Sequence, residues 1–189
     1  MSTLVFNGWG YSADVWKPFL NSEFDLYPHQ TKPYKNYTHV YAWSMGVLQA
    51  LEHLSDFNTT VQLHLFSPCL SFLERGKLPG NSLESLDQMM TGLKKSEKTV
   101  LKLFHRKSKS KLSLKALTTE YTSLENGLIY LKETDLTQQT FVFPNKTFLY
   151  AASSDPIIPI QASRFFSEKW SIPLKEYDTF SHSFFLEDS

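Results

Sequence analysis

The sequence predicts an α/β fold: a mainly parallel sheet with helices on both faces and a helical insertion between two of its strands. Three observations carry this. Short apolar or β-branched runs alternate with helix-periodic segments at both ends of the chain. From about Asn81 to Thr134 the strand-like runs stop and a helical period takes over. The 189 residues, 41% of them hydrophobic, suffice for one sizeable core, with a folded surface of about 9,300 Å² expected at this size.

Leu4-Val5-Phe6 reads as a strand that closes on a glycine-bearing loop, Asn7-Gly8-Trp9-Gly10. Ala13 to Leu20 reads as a short helix. Thr38 to Trp43 is β-branched and aromatic, hence a strand, and Val47, Leu48, Leu51 and Leu54 follow it at helical spacing. Val61 to Phe66 alternates as a strand and ends at Ser67-Pro68. Thr147 to Ala151 and Leu174 to Tyr177 are the late strands, with a helix over Pro159 to Lys169 between them.

In the middle, Asn81 and Glu84 have capping-box spacing, with Leu83, Leu86, Met90 and Leu93 behind them on one stripe. Leu114, Leu117, Tyr121, Leu124, Leu128 and Leu131 continue at steps of three and four, as one amphipathic helix. Residues 1–80 and 135–189 are therefore expected to form the core and 81–134 the insertion. Plain core packing is the other reading of that block.

With 20% charged residues and 15% aromatics the composition excludes a disordered chain. The 19 basic and 19 acidic side chains cancel, which gives no sign of bulk attraction to nucleic acid. One cysteine, Cys69, excludes an internal disulfide, and no Cys/His cluster has metal-ligand spacing, so neither metal nor cofactor is expected. No secretion signal or membrane span is readable, which makes the cytoplasm the default. A monomer is expected.

Chemistry is concentrated at strand ends. Ala42-Trp43-Ser44-Met45-Gly46 offers a serine on a tight strand-to-helix turn, with small residues two positions either side where the bent backbone packs closely. A serine hydroxyl needs a base to accept its proton and a carboxylate to orient that base. Asp155, after the strand at Thr147–Ala151, fits the acid, and His182, past the last strand, fits the base. Singly, Asp155 reads as a turn former before Pro156 and His182 as a histidine near the terminus; their order and placement together point to a triad. The backbone N–H groups of Trp9 and Met45 are the candidate oxyanion donors. Trp9, Trp43, Phe72 and Tyr121 are candidates to line an acyl channel.

The segments Leu4–Gly10, Ala42–Val47, Ser153–Pro159 and Ser181–Leu186 resemble the oxyanion, nucleophile, acid and histidine segments of α/β-hydrolases. The likeness is to the pimeloyl-[acyl-carrier-protein] methyl ester esterases of biotin synthesis, in the branch with Asn-Gly-Trp-Gly at the oxyanion loop. It covers about residues 4–54 and 147–186, and the helical block only by position, as a lid. Ala42 departs from the commoner first Gly of the elbow. The chain starts at the oxyanion strand, so the resemblance implies a reduced sheet without the two preceding strands. It also implies a substrate, the methyl ester of a pimeloyl chain on an acidic acyl carrier protein.

Charge along the chain bears on that partner independently. Between Lys94 and Lys115 lie nine basic residues, Lys94, Lys95, Lys98, Lys102, Arg106, Lys107, Lys109, Lys111 and Lys115, opposed only by Glu97. This stretch is +8 and the remainder −8. Such a block can steer an acidic partner such as a carrier protein; a solvated helix face is the plainer reading. It has few aromatic residues to stack on bases and no groove-reading motif, which speaks against nucleic acid. The function expected is thus a Ser-His-Asp esterase on the carrier-bound methyl ester. The alternatives are a carboxylesterase or thioesterase on small free esters, and a binding protein on a hydrolase scaffold.

Overall fold

The computed structural model describes residues 2–118 and 120–187. Six strands, β1 (Thr3–Phe6), β2 (Asp25–Leu26), β3 (His39–Trp43), β4 (Gln62–Phe66), β5 (Lys146–Ala152) and β6 (Leu174–Tyr177), form one sheet in the order β2-β1-β3-β4-β5-β6. Every pair is parallel. The order reverses beside β1, whose chain goes first to β2 on one side and then to β3 on the other. At such a reversal the loops leaving two neighbouring strands part and open a crevice at their carboxyl ends. Here those loops are Asn7–Gly10 after β1 and the turn at Ser44 after β3.

The elements expected at the two ends of the chain form, with shifted borders. Ala13–Leu20 divides into a 3₁₀ turn, Ala13–Val15, and α1, Trp16–Leu20, and Ser12 Oγ accepts the Asp14 N–H at its start. α2 is Met45–Glu52 and α6 is Ile160–Trp170. The short edge strand β2 has no counterpart in the sequence reading. Two residues cannot display a period, and only their pairing with Leu4 and Val5 defines them.

Between β4 and β5 come α3 (Leu83–Lys95), α4 (Glu97–Lys107) and α5 (Tyr121–Glu133). Two expectations fail here. Asn81 is not the cap of α3: Ser82 is, its Oγ accepting the Ser85 N–H. The Asn81 amide is committed elsewhere, donating to the Ile157 carbonyl at 2.8 Å, and so ties α3 to the loop before α6. The period from Leu114 to Leu131 is not one helix either. Leu114–Ala116 is a 3₁₀ turn, and Leu117 pairs with Tyr11 in an antiparallel bridge. Thr118 N donates to Gly10 O and Ser12 N to Ala116 O. Backbone pairing with the β1 loop wins over the side-chain period, and α5 starts afresh at Tyr121.

Leu4, Phe6, Val40, Ala42, Leu63, Leu65 and Leu149 are buried on the sheet face that carries α2 and α6. On the opposite face lie α1 and the turn Phe184–Leu186, Phe185 stacking on Phe66 at 3.9 Å. Tyr41, which meets Trp16 and Phe19 of α1, continues across the strands into His64 and Phe148, the rings stacked 4.6 and 4.8 Å apart. Parallel sheets are normally covered on both faces; here Phe148 remains 40% exposed. The surface is 9815 Å², close to the area expected of a single-core chain. Among the described residues no helix is long and apolar enough to cross a membrane.

Candidate active site

β3 drives straight into Ser44, which takes φ 56° and ψ −117° before α2 begins at Met45. A non-glycine residue in the left-handed region costs on the order of 1–3 kcal/mol and persists only where its surroundings impose it. Here they do. A Cβ on Gly46 would lie 2.1 Å from the Phe6 carbonyl oxygen, so only glycine lets α2 start this close to β1. The bend presents Ser44, 6% exposed, at the carboxyl end of the central strands.

Asp155 and His182 meet as the sequence order suggests. His182 Nδ1 lies 2.7 Å from Asp155 Oδ2, and the residues are 1% and 7% exposed. Asp155 is saturated: Oδ1 accepts the Ile157 and Ile158 N–H groups at 2.8 and 3.0 Å, and Oδ2 also accepts the Ser67 hydroxyl at 2.9 Å. Burial works to raise its pKa, but the charge and hydrogen bond of His182 and the two amides outweigh it, and the net direction is down. The carboxylate is therefore ionised and accepts from Nδ1–H. A neutral imidazole then carries its lone pair on Nε2, the nitrogen a general base needs.

Trp43 joins the histidine to the elbow. Its Nε1 donates to the His182 carbonyl at 3.1 Å and its ring lies 5.3 Å from the imidazole. It is fully buried, so it supports the site from behind and does not line a channel. Among the described residues the Ser44 hydroxyl makes no hydrogen bond to the imidazole. Catalytic bonds of this kind are often long before substrate binds.

The loop that carries Trp9 is held from both ends. Asn7 Oδ1 accepts from Trp16 Nε1 at 2.9 Å while Asn7 Nδ2 donates to Tyr11 O at 2.7 Å, which clamps the loop across Gly8–Gly10. Gly10 takes φ 83°. Trp9 Nε1 donates to Leu124 O on α5, and the Trp9 ring meets Phe104 edge-on at 4.8 Å. Neither the Trp9 nor the Met45 backbone N–H has an acceptor among the described residues, and Met45 opens α2, where the helix dipole favours negative charge.

Two cavities adjoin this region. One of about 430 Å³ is lined by Asn7, Gly8, Trp9, Met45 and Leu124 among others. Another of about 440 Å³ runs between α3 and α4 over Phe72 and Ile157, with Phe104 at one side and Lys95 and Lys107 at its rim. A larger cavity, about 840 Å³, lies by Ser2 and Thr3 at the amino end of β1, away from the strand ends that carry Ser44, Asp155 and His182. Phe72 lines the α3–α4 groove; Tyr121 lines neither of the two near cavities. All nine basic residues of the 94–115 block are exposed. Lys111 pairs with Glu187, and the other eight have no ion pair among the described residues.

Several contributors escape sequence reasoning. Ser67, which anchors Asp155, is marked only by ending β4. Gly127 sits inside α5, where a Cβ would lie 2.5 Å from Trp9 Cδ1 and 3.3 Å from Met45 Sδ. A glycine in mid-helix was the available signal. Cys69 is beside the site but inert: burial, then the Asp155 charge, pushes its thiol up to about 12.

No protein-family model and no curated protein matches the sequence. Solved structures do match. An esterase from Exiguobacterium antarcticum superposes with a TM-score of 0.76 at 16% identity, covering 100% of this chain and 87% of that one. A bromoperoxidase from Bacillus anthracis gives 0.70 at 14%, covering 96% and 84%. A hydrolase from Pseudomonas aeruginosa PA01 gives 0.68 at 12%, covering 96% and 83%. With six parallel strands, helices on both faces and a helical insertion between β4 and β5, the chain has the α/β-hydrolase fold.

Proposed function

We propose that the protein is a serine esterase. The observation that carries this reading is the buried Asp155–His182 pair beside a serine held in a strained strand-to-helix turn. In this mechanism Ser44 Oγ attacks the ester carbonyl and His182 Nε2 takes its proton, while Asp155 fixes the imidazole tautomer and stabilises the imidazolium. The negative charge on the former carbonyl oxygen is met by the Trp9 and Met45 N–H groups. His182 then gives its proton to the departing alkoxide. Water, deprotonated in turn by His182, releases the acid from the acyl-enzyme.

The substrate we propose is a carrier-bound acyl methyl ester, the pimeloyl chain implied by the resemblance, with methanol as leaving group. Two features support an acyl chain with an acidic carrier. The α3–α4 groove is apolar and touches the oxyanion loop through Phe104. Lys95 and Lys107 stand at its rim, two of the eight exposed cations of residues 94–115 that have no ion pair among the described residues, a field suited to an acidic protein. The helices then act as a lid whose charge selects the partner. A second reading, an esterase on small free esters, is favoured by the direct access of the 430 Å³ cavity to Trp9 and Met45.

Mass spectrometry of a methyl-pimeloyl carrier incubated with the protein tests this. The expected product has lost one CH₂ and is still acylated, and Ser44→Ala gives none. Loss of the whole acyl group would mean thioester cleavage. Full hydrolysis of p-nitrophenyl butyrate by Ser44→Ala would overturn the serine mechanism.

A further inference from the structure

Resting on the serine-esterase reading, we infer that Glu187 is a positioning residue for His182, acting through both neighbours of the histidine and through the end of the α4 segment. Its carboxylate gathers donors from both sides. Oε1 accepts the Ser181 hydroxyl, the Ser183 hydroxyl at 2.7 Å and the Lys111 N–H at 3.0 Å. Oε2 lies 3.7 Å from Lys111 Nζ. The side chain is almost wholly buried, at 4% exposure. The two serines flank His182 directly in sequence, so one carboxylate grips the base on either side.

The grip extends into the helical insertion. Ser110 Oγ lies 2.6 Å from Ser183 Oγ, and the His182 N–H itself donates to the Ser108 carbonyl at 2.9 Å. Ser108 Oγ in turn lies 3.1 Å from Tyr11 OH, beside the oxyanion loop. Residues 108–111, the histidine loop and Tyr11 are therefore stitched together, with Glu187 as the charged acceptor that joins the serines on either side of His182 to Lys111.

A neutral side chain at 187 cannot serve the same set. Glutamine keeps one carbonyl oxygen for three donors and points an NH₂ at whatever faced the second oxygen, Lys111 Nζ included. The charge-assisted bonds fall to neutral ones, about half as strong, and the backbone that carries the imidazole is held less firmly against Asp155. The titratable groups facing Glu187 are Lys111, His105 and Tyr11, the last two feeling its charge. Burial works to raise the Glu187 pKa; the Ser181, Lys111 N–H and Ser183 bonds and the Lys111 charge bring it below the ordinary range. The grip is thus present at neutral pH and lost as pH falls through that lowered value.

The test measures the rate at which a fluorophosphonate labels Ser44, with kcat and KM for p-nitrophenyl butyrate across pH, in wild type, Glu187→Gln and Ser183→Ala. Small misplacements of a catalytic group cost up to about 100-fold, so Glu187→Gln should label and turn over about 10- to 100-fold more slowly with KM unchanged. Its activity should also lose one of the ionisations that shape the wild-type acid limb. Ser183→Ala, which removes one donor and keeps the charge, should fall between; it decides the matter if Glu187→Gln does not fold. Wild-type rates and an unchanged pH profile in the folded variants would overturn the inference. Failure of wild type to label at Ser44 would instead sink the esterase reading on which it rests.

Discussion

At Asp155 every acceptor position is filled, by two amides, a hydroxyl and the imidazole. Asn at this position would turn an NH₂ toward one of those donors and favour the wrong histidine tautomer. Asp155→Asn should therefore lower kcat on the order of 10⁴-fold with little change in KM, measurable on p-nitrophenyl butyrate. The lowered pKa has a stability consequence with a definite sign. The native state binds fewer protons than the unfolded chain, so the contribution is complete above the unfolded carboxylate value of about 3.9 and is lost as pH falls below it. Acid unfolding of Asp155→Asn should accordingly lack part of the wild-type slope in that range. The turn at Ser44 and the meeting of Asp155 with His182 were legible in the sequence because each residue follows a strand. Ser67 and Glu187 were not. Their roles lie in contacts across 88 and 76 positions of chain, which no local pattern encodes.

Elements were legible where one period ruled alone. β1, β3, β4 and the two late strands answered to apolar runs, and α2 and α6 to helical spacing. The insertion misled where two signals competed. From Leu114 to Leu131 the spacing was helical throughout, yet the backbone of Ala116 to Thr118 had better partners in Gly10 to Ser12. Within α5, Gly127 makes a sharp prediction. Glycine in a helix interior ordinarily costs about 1 kcal/mol relative to alanine. Here an alanine Cβ would collide with Trp9, which is buried and hydrogen-bonded to Leu124 O. Overpacking of this kind costs about 1–3 kcal/mol. Gly127→Ala should therefore destabilise the protein in urea unfolding, against the helix-propensity trend, and slow esterase turnover by displacing the oxyanion loop.

Across the whole molecule the equal numbers of charges are segregated. The +8 block lies exposed on and after α3 and α4, and the balancing −8 elsewhere. If the proposed carrier docks on this block, replacing Lys98 and Lys102 by Glu should raise KM for a carrier-bound ester about tenfold or more, most at low salt. It should leave p-nitrophenyl butyrate hydrolysis unchanged. Equal effects on both substrates would point to damage in the fold rather than to lost steering. The stitching of residues 108–111 to the histidine loop has a mechanical consequence. That end of α4 cannot swing away without dragging the base out of register. The base and the far end of α4 therefore share one set of bonds, so a displacement at either is felt at the other.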